Sequence, residues 1–235
     1  MKIKTLLLLA AILTVGYGYS SAADTKSKQE PQRVMMIQSS FEPHLRINGY
    51  TFYAFDDQVD SYYSNSDYFK GKIKGGFQWG GGLEYMLAPV QSIEISYLRL
   101  DTEAPMNYYN NGPQYSIFDV ATNYILVGGN RYFPTGSAIE PYAGAQLGVA
   151  IFNIHNPDTG KSGNATKFAW GLKAGLNIWA SEMVGLKIQT GLNSAVQAAG
   201  GSFWFGGGGS GAGISTYSTF YQFYIGGGLA LKIGN

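Results

Sequence analysis

Along the second half of the chain, apolar residues alternate with small or polar ones. Leu172 to Ile178 and Val184 to Asn193 show this most plainly: one parity holds Leu, Ile, Val and Ala, the other Gly, Lys, Gln and Asn. A period of two marks strands with one apolar face. The opposite face is glycine-rich with few charges, a poor coat for a water-exposed sheet. That inversion suits a barrel with lipid outside and a packed polar interior. The pattern predicts eight strands, over residues 45–55, 73–86, 92–100, 117–133, 140–154, 167–180, 184–197 and 219–233.

The connections support the same reading. Residues 87–91, 134–137 and 181–183 are short turns carrying Pro, Gly or Ser, whereas 56–72, 101–116, 155–166 and 198–218 are long. Short and long connections alternate strictly, the asymmetry of a barrel with short periplasmic turns and longer extracellular loops. Facing follows from parity. Phe77, Trp79, Leu83 and Tyr85 point to lipid, as do Leu147, Val149, Leu172, Leu176, Phe223, Ile225 and Leu229. The first and fourth strands are ambiguous, and Gly128-Gly129 reads as a candidate bulge that switches parity. Aromatics gather at strand ends as interfacial girdles: Tyr85, Tyr132, Phe133, Tyr142 and Trp179 near the short turns, Phe152, Phe168, Trp170, Phe220 and Tyr221 near the long loops. A soluble lipocalin-like barrel is the rival fold and would put the apolar parity inside.

The first residues change the picture from barrel to exported barrel. Lys2 and Lys4 precede an apolar run from Leu6 to Val15, and Ser21-Ala22-Ala23 supplies a small-residue cleavage site, so residues 1–23 read as a signal peptide. The run is short for a membrane helix. Residues 24–44 are polar with Pro31 and Pro43 and read as a periplasmic leader, leaving 45–235 as the barrel. Charged residues are 13% of the chain, well under the quarter usual for soluble domains, and the net charge of +1 argues against a nucleic-acid partner. There is no cysteine for lipidation or disulfides.

Arg131-Tyr132-Phe133-Pro134-Thr135-Gly136-Ser137 followed by Glu140-Pro141-Tyr142-Ala143-Gly144-Ala145-Gln146-Leu147-Gly148-Val149-Ala150 resembles a turn-and-strand region of small outer-membrane β-barrel proteins, and so does Gly171-Leu172-Lys173-Ala174-Gly175 with Val184-Gly185-Leu186. The group includes the barrel domains of outer-membrane proteins A, W and X. The resemblance implies an all-β, eight-stranded antiparallel transmembrane barrel in a Gram-negative outer membrane, inserted by the outer-membrane assembly machinery and in contact with outer-membrane lipid and lipopolysaccharide.

Candidate chemistry is sparse. Glu84, Glu94, Gln146, Lys173, Lys187, Gln189 and Lys232 fall on inward parities and predict a lumenal network, because an isolated buried charge is costly and must pair. The many inward glycines leave room for a narrow water-filled cavity. In the loops, Tyr62, Tyr63, Tyr108, Tyr109 and Phe203-Trp204-Phe205 form a composition suited to adaptable binding of an extracellular ligand. Asp56, Asp57, Asp60 and Asp67 form a loop tip that could bridge divalent cations but reads first as solvated. Catalysis finds little: His44 lies on the leader, and His155, with Asp158 and Ser162 nearby, shows no His-x-Ser pattern. Two histidines and no cysteine predict no zinc site. The expectation is a monomeric, non-enzymatic outer-membrane protein without cofactor or metal, serving envelope integrity or surface interaction. A narrow channel for small or hydrophobic solutes is the alternative, and a lipid-modifying enzyme the remote one.

Overall fold

The computed structural model describes residues 41–63, 67–109, 112–196 and 220–234. They form ten strands: β1 (Leu45–Ala54), β2 (Asp57–Tyr63), β3 (Asp67–Ile73), β4 (Gly76–Ala88), β5 (Gln91–Tyr109), β6 (Pro113–Tyr132), β7 (Ile139–Asn156), β8 (Lys161–Trp179), β9 (Val184–Val196) and β10 (Phe220–Ile233). Eight of them, β1 and β4 to β10, pair antiparallel in a closed ring, with β10 returning to β1 and β5 joined to β6. Closure is what lipid demands, since an open strand edge would leave backbone groups unpaired in hydrocarbon.

The remaining two strands fold where the sequence predicts only a long loop. β2 and β3 form a hairpin whose second arm pairs Phe69–Gly71 with Met106–Tyr108 of β5. β5 and β6 also run on together to Tyr109 and Pro113, so the second predicted loop is a continuation of the barrel wall. β7 and β8 do the same and meet at a turn closed by Gly160, whose φ of 66° is the left-handed conformation glycine adopts freely.

Facing agrees with parity throughout the lipid belt. Leu83, Ile95, Val127, Leu147, Leu172, Ile188, Ile225 and Leu229 are all exposed on the outside. The hydroxyls of outward Thr51 and Thr190 donate to the carbonyls of Gly227 (3.2 Å) and Tyr224 (3.0 Å), so neither is left unpaired against lipid. β1 is resolved, with Arg46, Asn48, Tyr50, Phe52 and Ala54 inward. Gly128-Gly129 is no bulge: β6 keeps register with both neighbours, and Tyr124, Leu126, Asn130 and Tyr132 share one inward parity. The ambiguity arose because inward Tyr124 and Leu126 are as apolar as their outward neighbours. The register shift lies instead between Met86 and Ala88.

The girdles are thinner than the sequence suggests. Tyr85 and Phe133 face outward near the short turns, and Phe168 and Tyr221 near the extracellular end. Tyr132, Tyr142, Phe152 and Phe220 point into the lumen and are buried. Trp179 turns over the periplasmic mouth, where its indole nitrogen donates to Glu140 at 3.2 Å.

Depth along the outer face sets the cost of a charge there. Leu147→Arg, in the belt, is expected to destabilise the barrel by about 2–4 kcal/mol, whereas Thr166→Arg, beyond its extracellular edge, costs about 0–1 kcal/mol. Urea unfolding in lipid vesicles measures both.

Candidate functional site

The lumen has two layers of opposite character. In the half nearer the short turns, inward positions carry charge. Glu84 accepts hydrogen bonds from Ser92 Oγ (2.5 Å), Asn130 Nδ2 (2.8 Å), Asn48 Nδ2 (2.9 Å) and the Tyr132 hydroxyl. Glu94 accepts from Lys173 Nζ (2.5 Å), Asn130 Nδ2 (3.0 Å), Asn48 Nδ2 (3.3 Å) and the Tyr50 hydroxyl. Two carboxylates facing each other across paired strands β4 and β5 are thereby shared among donors from β1, β5, β6 and β8. A second pair, Arg46 with Glu140 at 3.0 Å, spans the lumen nearer the periplasmic mouth, and the Arg46 guanidinium lies 4.9 Å from the Tyr132 ring.

Lys187 is held differently. Its ammonium lies 3.9 Å from Glu84 and 4.5 Å from the centre of the Tyr142 ring, and has no hydrogen-bond partner among the described residues. Gln189 accepts from the Tyr142 hydroxyl at 2.7 Å and donates to that of Tyr224 at 3.1 Å, linking the charged layer to the aromatic one above. Gln146 accepts from Ser96 at 3.4 Å. Lys232 stands apart from the predicted network: it is half-exposed at the periplasmic rim, 5.1 Å from the Trp179 ring, because its strand ends there.

The upper layer is mostly aromatic and aliphatic, with buried Gln78, Thr122, Asn193 and Gln222 among it. Phe52, Tyr124, Tyr224, Leu98, Leu100 and Leu126 meet in the lumen, with Phe52 and Tyr224 ring centres 4.7 Å apart. The same cluster continues upward through Met106, Tyr108, Phe118 and Phe152. Several inward glycines make room for these large groups rather than for water. A side chain on Gly175 would sit 2.8 Å from the Tyr142 ring, and one on Gly191 would collide with Tyr224.

Sequence reasoning missed Arg46, Asn48, Tyr50, Asn130, Tyr132 and Glu140. A signal existed for most of them: Arg46, Asn48 and Tyr50 share a parity, as do Asn130 and Tyr132. Reading tyrosines as girdle residues concealed it.

Outside the belt the polarity reverses. Above Tyr97, Ile125, Ile151 and Phe168, most outward residues of β5 to β8 are polar, among them Arg99, Asp101, Glu103, Asp119, Asn123, Asn153, His155, Ser162 and Asn164, while β6 also exposes Ile117 and Tyr115. A groove of about 540 Å³ runs across this wall, bordered by Asp101, Asp119, Asn153, His155, Ser162 and Asn164. Asp158, considered with His155 on sequence, instead accepts from Ser116 Oγ at 2.5 Å. At the first predicted loop, Asp56 accepts from Lys72 (2.6 Å) and the Gly75 amide (2.7 Å), which hold its carboxyl below the usual range; burial pushes the neighbouring Asp57 up. Asp57 accepts from the Tyr221 amide at 2.8 Å. Both carboxylates are engaged in pinning the β2–β3 hairpin to the rim, and no metal-binding cluster occurs among the described residues. Tyr108 points inward and is buried. The side chains of Tyr62, Tyr63 and Tyr109, and all of Phe203, Trp204 and Phe205, lie outside the described residues.

Residues 38–195 match the model of the outer membrane protein beta-barrel domain. Among solved structures, Neisserial surface protein A aligns over 81% of this chain and 97% of its own, at 14% identity and a TM-score of 0.51. The outer membrane protein OprG from Pseudomonas aeruginosa aligns over 82% and 96%, at 13% identity and a TM-score of 0.51. At such identities the likeness is one of fold. Comparison of the sequence with curated proteins gives no match.

Breaking the buried network from one side is predicted to be expensive. Glu94→Ala leaves Lys173 uncompensated and is expected to cost about 3–5 kcal/mol, while the coupling of Glu94 to Lys173 in a double-mutant cycle should reach about 0.5–3 kcal/mol. Urea midpoints of the four refolded proteins measure both.

Proposed function

The chain belongs to the outer membrane protein beta-barrel domain family, and from that premise we propose that it serves the outer membrane as a structural barrel that binds partners at its extracellular end. One observation carries the reading: the lumen is occupied by a charged layer below and an aromatic layer above, while the wall formed by β5 to β8 projects past the lipid belt with a polar exterior. Eight strands give an interior only wide enough for side chains. Room for action is therefore greatest on the outer wall and the loops. The partners proposed are lipopolysaccharide at the belt's edge and an extracellular ligand at the loops. Delivery to the membrane follows export with cleavage after Ala23.

A narrow channel is the second reading, favoured by Lys187. An ammonium without a hydrogen-bond partner among the described residues, between Glu84 and an aromatic ring, is a group that can change partner. Against it stands the aromatic and aliphatic cluster above, whose packed side chains fill an interior only wide enough for them.

Refolded mature protein in planar bilayers is expected to give no discrete conductance steps, and Lys187→Ala is expected to stay silent because the aromatic layer is untouched. Discrete steps from the wild type that change with the substitution would replace this reading with the channel.

A further inference from the structure

The groove on the outer wall holds a constellation that no reading above uses. β6, β7 and β8 are adjacent, and their registers place Asp119 directly opposite His155, and His155 directly opposite Ser162. All three lie on the outward parity and line the groove. His155 Nδ1 is 2.9 Å from Ser162 Oγ. Opposed residues on neighbouring strands have Cβ atoms about 4.5–5.5 Å apart, which sets the Asp119 side chain beside that of His155. Acid, base and hydroxyl thus stand in one row across three strands. Two residues nearer the membrane, Asn153 and Asn164 are opposed in the same groove and bring two side-chain amides toward the same space.

We propose that this groove is an ester-hydrolysing site in which Ser162 is the nucleophile and His155 the general base, with Asp119 positioning the imidazole. The proposal goes beyond the surface-binding reading and does not rest on it. A hydroxyl becomes a competent nucleophile when a hydrogen-bonded base takes its proton and a third group orients that base. Ser162 Oγ attacks the acyl carbonyl carbon as its proton passes to His155 Nδ1. The bond from that carbon to the alcohol oxygen then breaks, and the leaving oxygen takes the proton from His155. Water, deprotonated by His155, attacks the acyl-serine. The serine oxygen recovers the proton, so the products are one alcohol and one carboxylic acid. The Asn153 and Asn164 amides are the donors placed to stabilise the oxyanion.

Height along the barrel selects the substrate. Asn153 is two residues above Ile151, the last apolar residue on the outward face of its strand, which is about 5 Å along the membrane normal for a tilted strand. Acyl chains embedded in lipid end below that level, where sugar headgroups begin. The groove's polar border of Asp, Asn, Ser and His suits hydroxyl-bearing rings, and Ala121 offers a small apolar floor. The substrate class is therefore a short-chain acyl ester of a sugar.

Full mature protein refolded in detergent is treated with a fluorophosphonate probe and assayed on p-nitrophenyl acetate, peracetylated glucosamine and p-nitrophenyl palmitate, beside Ser162→Ala, His155→Ala and Asp119→Asn. These positions face outward, so the variants are expected to fold, as retained heat-modifiable migration on gels would show. Expected are covalent labelling lost in Ser162→Ala, acetate-ester turnover at least tenfold above that variant, and an Asp119→Asn enzyme with lowered kcat and unchanged KM. Equal turnover by wild type and Ser162→Ala overturns the site. Hydrolysis of the palmitate ester without that of acetylated glucosamine overturns the substrate assignment.

Discussion

Everything in this molecule follows from the absence of water around its middle. A strand crossing hydrocarbon finds no partner for its amides except another strand, so the sheet must close. With eight strands, closure leaves an interior barely wider than its own side chains. The outward parity is given to lipid, and the inward parity must then carry whatever polarity the strands have. Charges confined to so narrow a space have to be paired. Glu84 and Glu94 face one another on β4 and β5, a repulsive pair in isolation, and are held by Lys173, Lys187, Asn48, Asn130 and the Tyr50 and Tyr132 hydroxyls. The network is the consequence of closure in lipid rather than an ornament on it.

The same constraint explains why the barrel changes character along its axis. Within the belt it is apolar outside and polar inside. Above the belt the surroundings are aqueous, and the alternation turns over: Ala104, Met106, Phe118, Val120 and Ile154 face inward while Asp101, Glu103, Asp119 and Asn153 face outward. A single continuous strand such as β6 therefore obeys two rules, that of a membrane barrel below and that of a soluble barrel above. The aromatic layer of Phe52, Tyr124 and Tyr224 lies where the two rules meet. It separates the charged lumen from the extracellular end, which is where binding surfaces become available.

This change of rule also marks how far the sequence is legible. Strands β7, β8 and β10 can be faced residue by residue because Leu, Ile and Val occupy one parity and Gly, Lys and Gln the other. The extensions of β5 and β6 cannot, because a search for apolar-out alternation stops where the pattern inverts, and residues 101–116 then look like a loop. In the lumen, Lys173 and Glu94 are legible from parity alone. Arg46 shares a parity with Asn48 and Tyr50 that a girdle reading of tyrosine conceals, and Glu140 sits at a strand end whose register parity does not fix. Nor does sequence order reveal that Asp119 stands opposite His155, 36 positions later, while nearby Asp158 turns to Ser116. Tyrosine is the residue most open to misreading, because an amphipathic ring fits an interfacial girdle and a buried hydrogen bond equally well.

The central claim is that the parity holding Leu147, Leu172 and Ile225 touches lipid and the opposite parity does not. The chain has no cysteine, so single cysteines can be placed at will. Fluorophores attached at Leu147, Leu172 and Ile225, and at inward Ala150, Ala169 and Ala230, would be challenged with brominated lipid in vesicles. Quenching at the three outward sites and protection at the three inward ones is the predicted result. Protection at Leu147, Leu172 and Ile225, with all three in contact with water, would contradict the account and restore the soluble barrel.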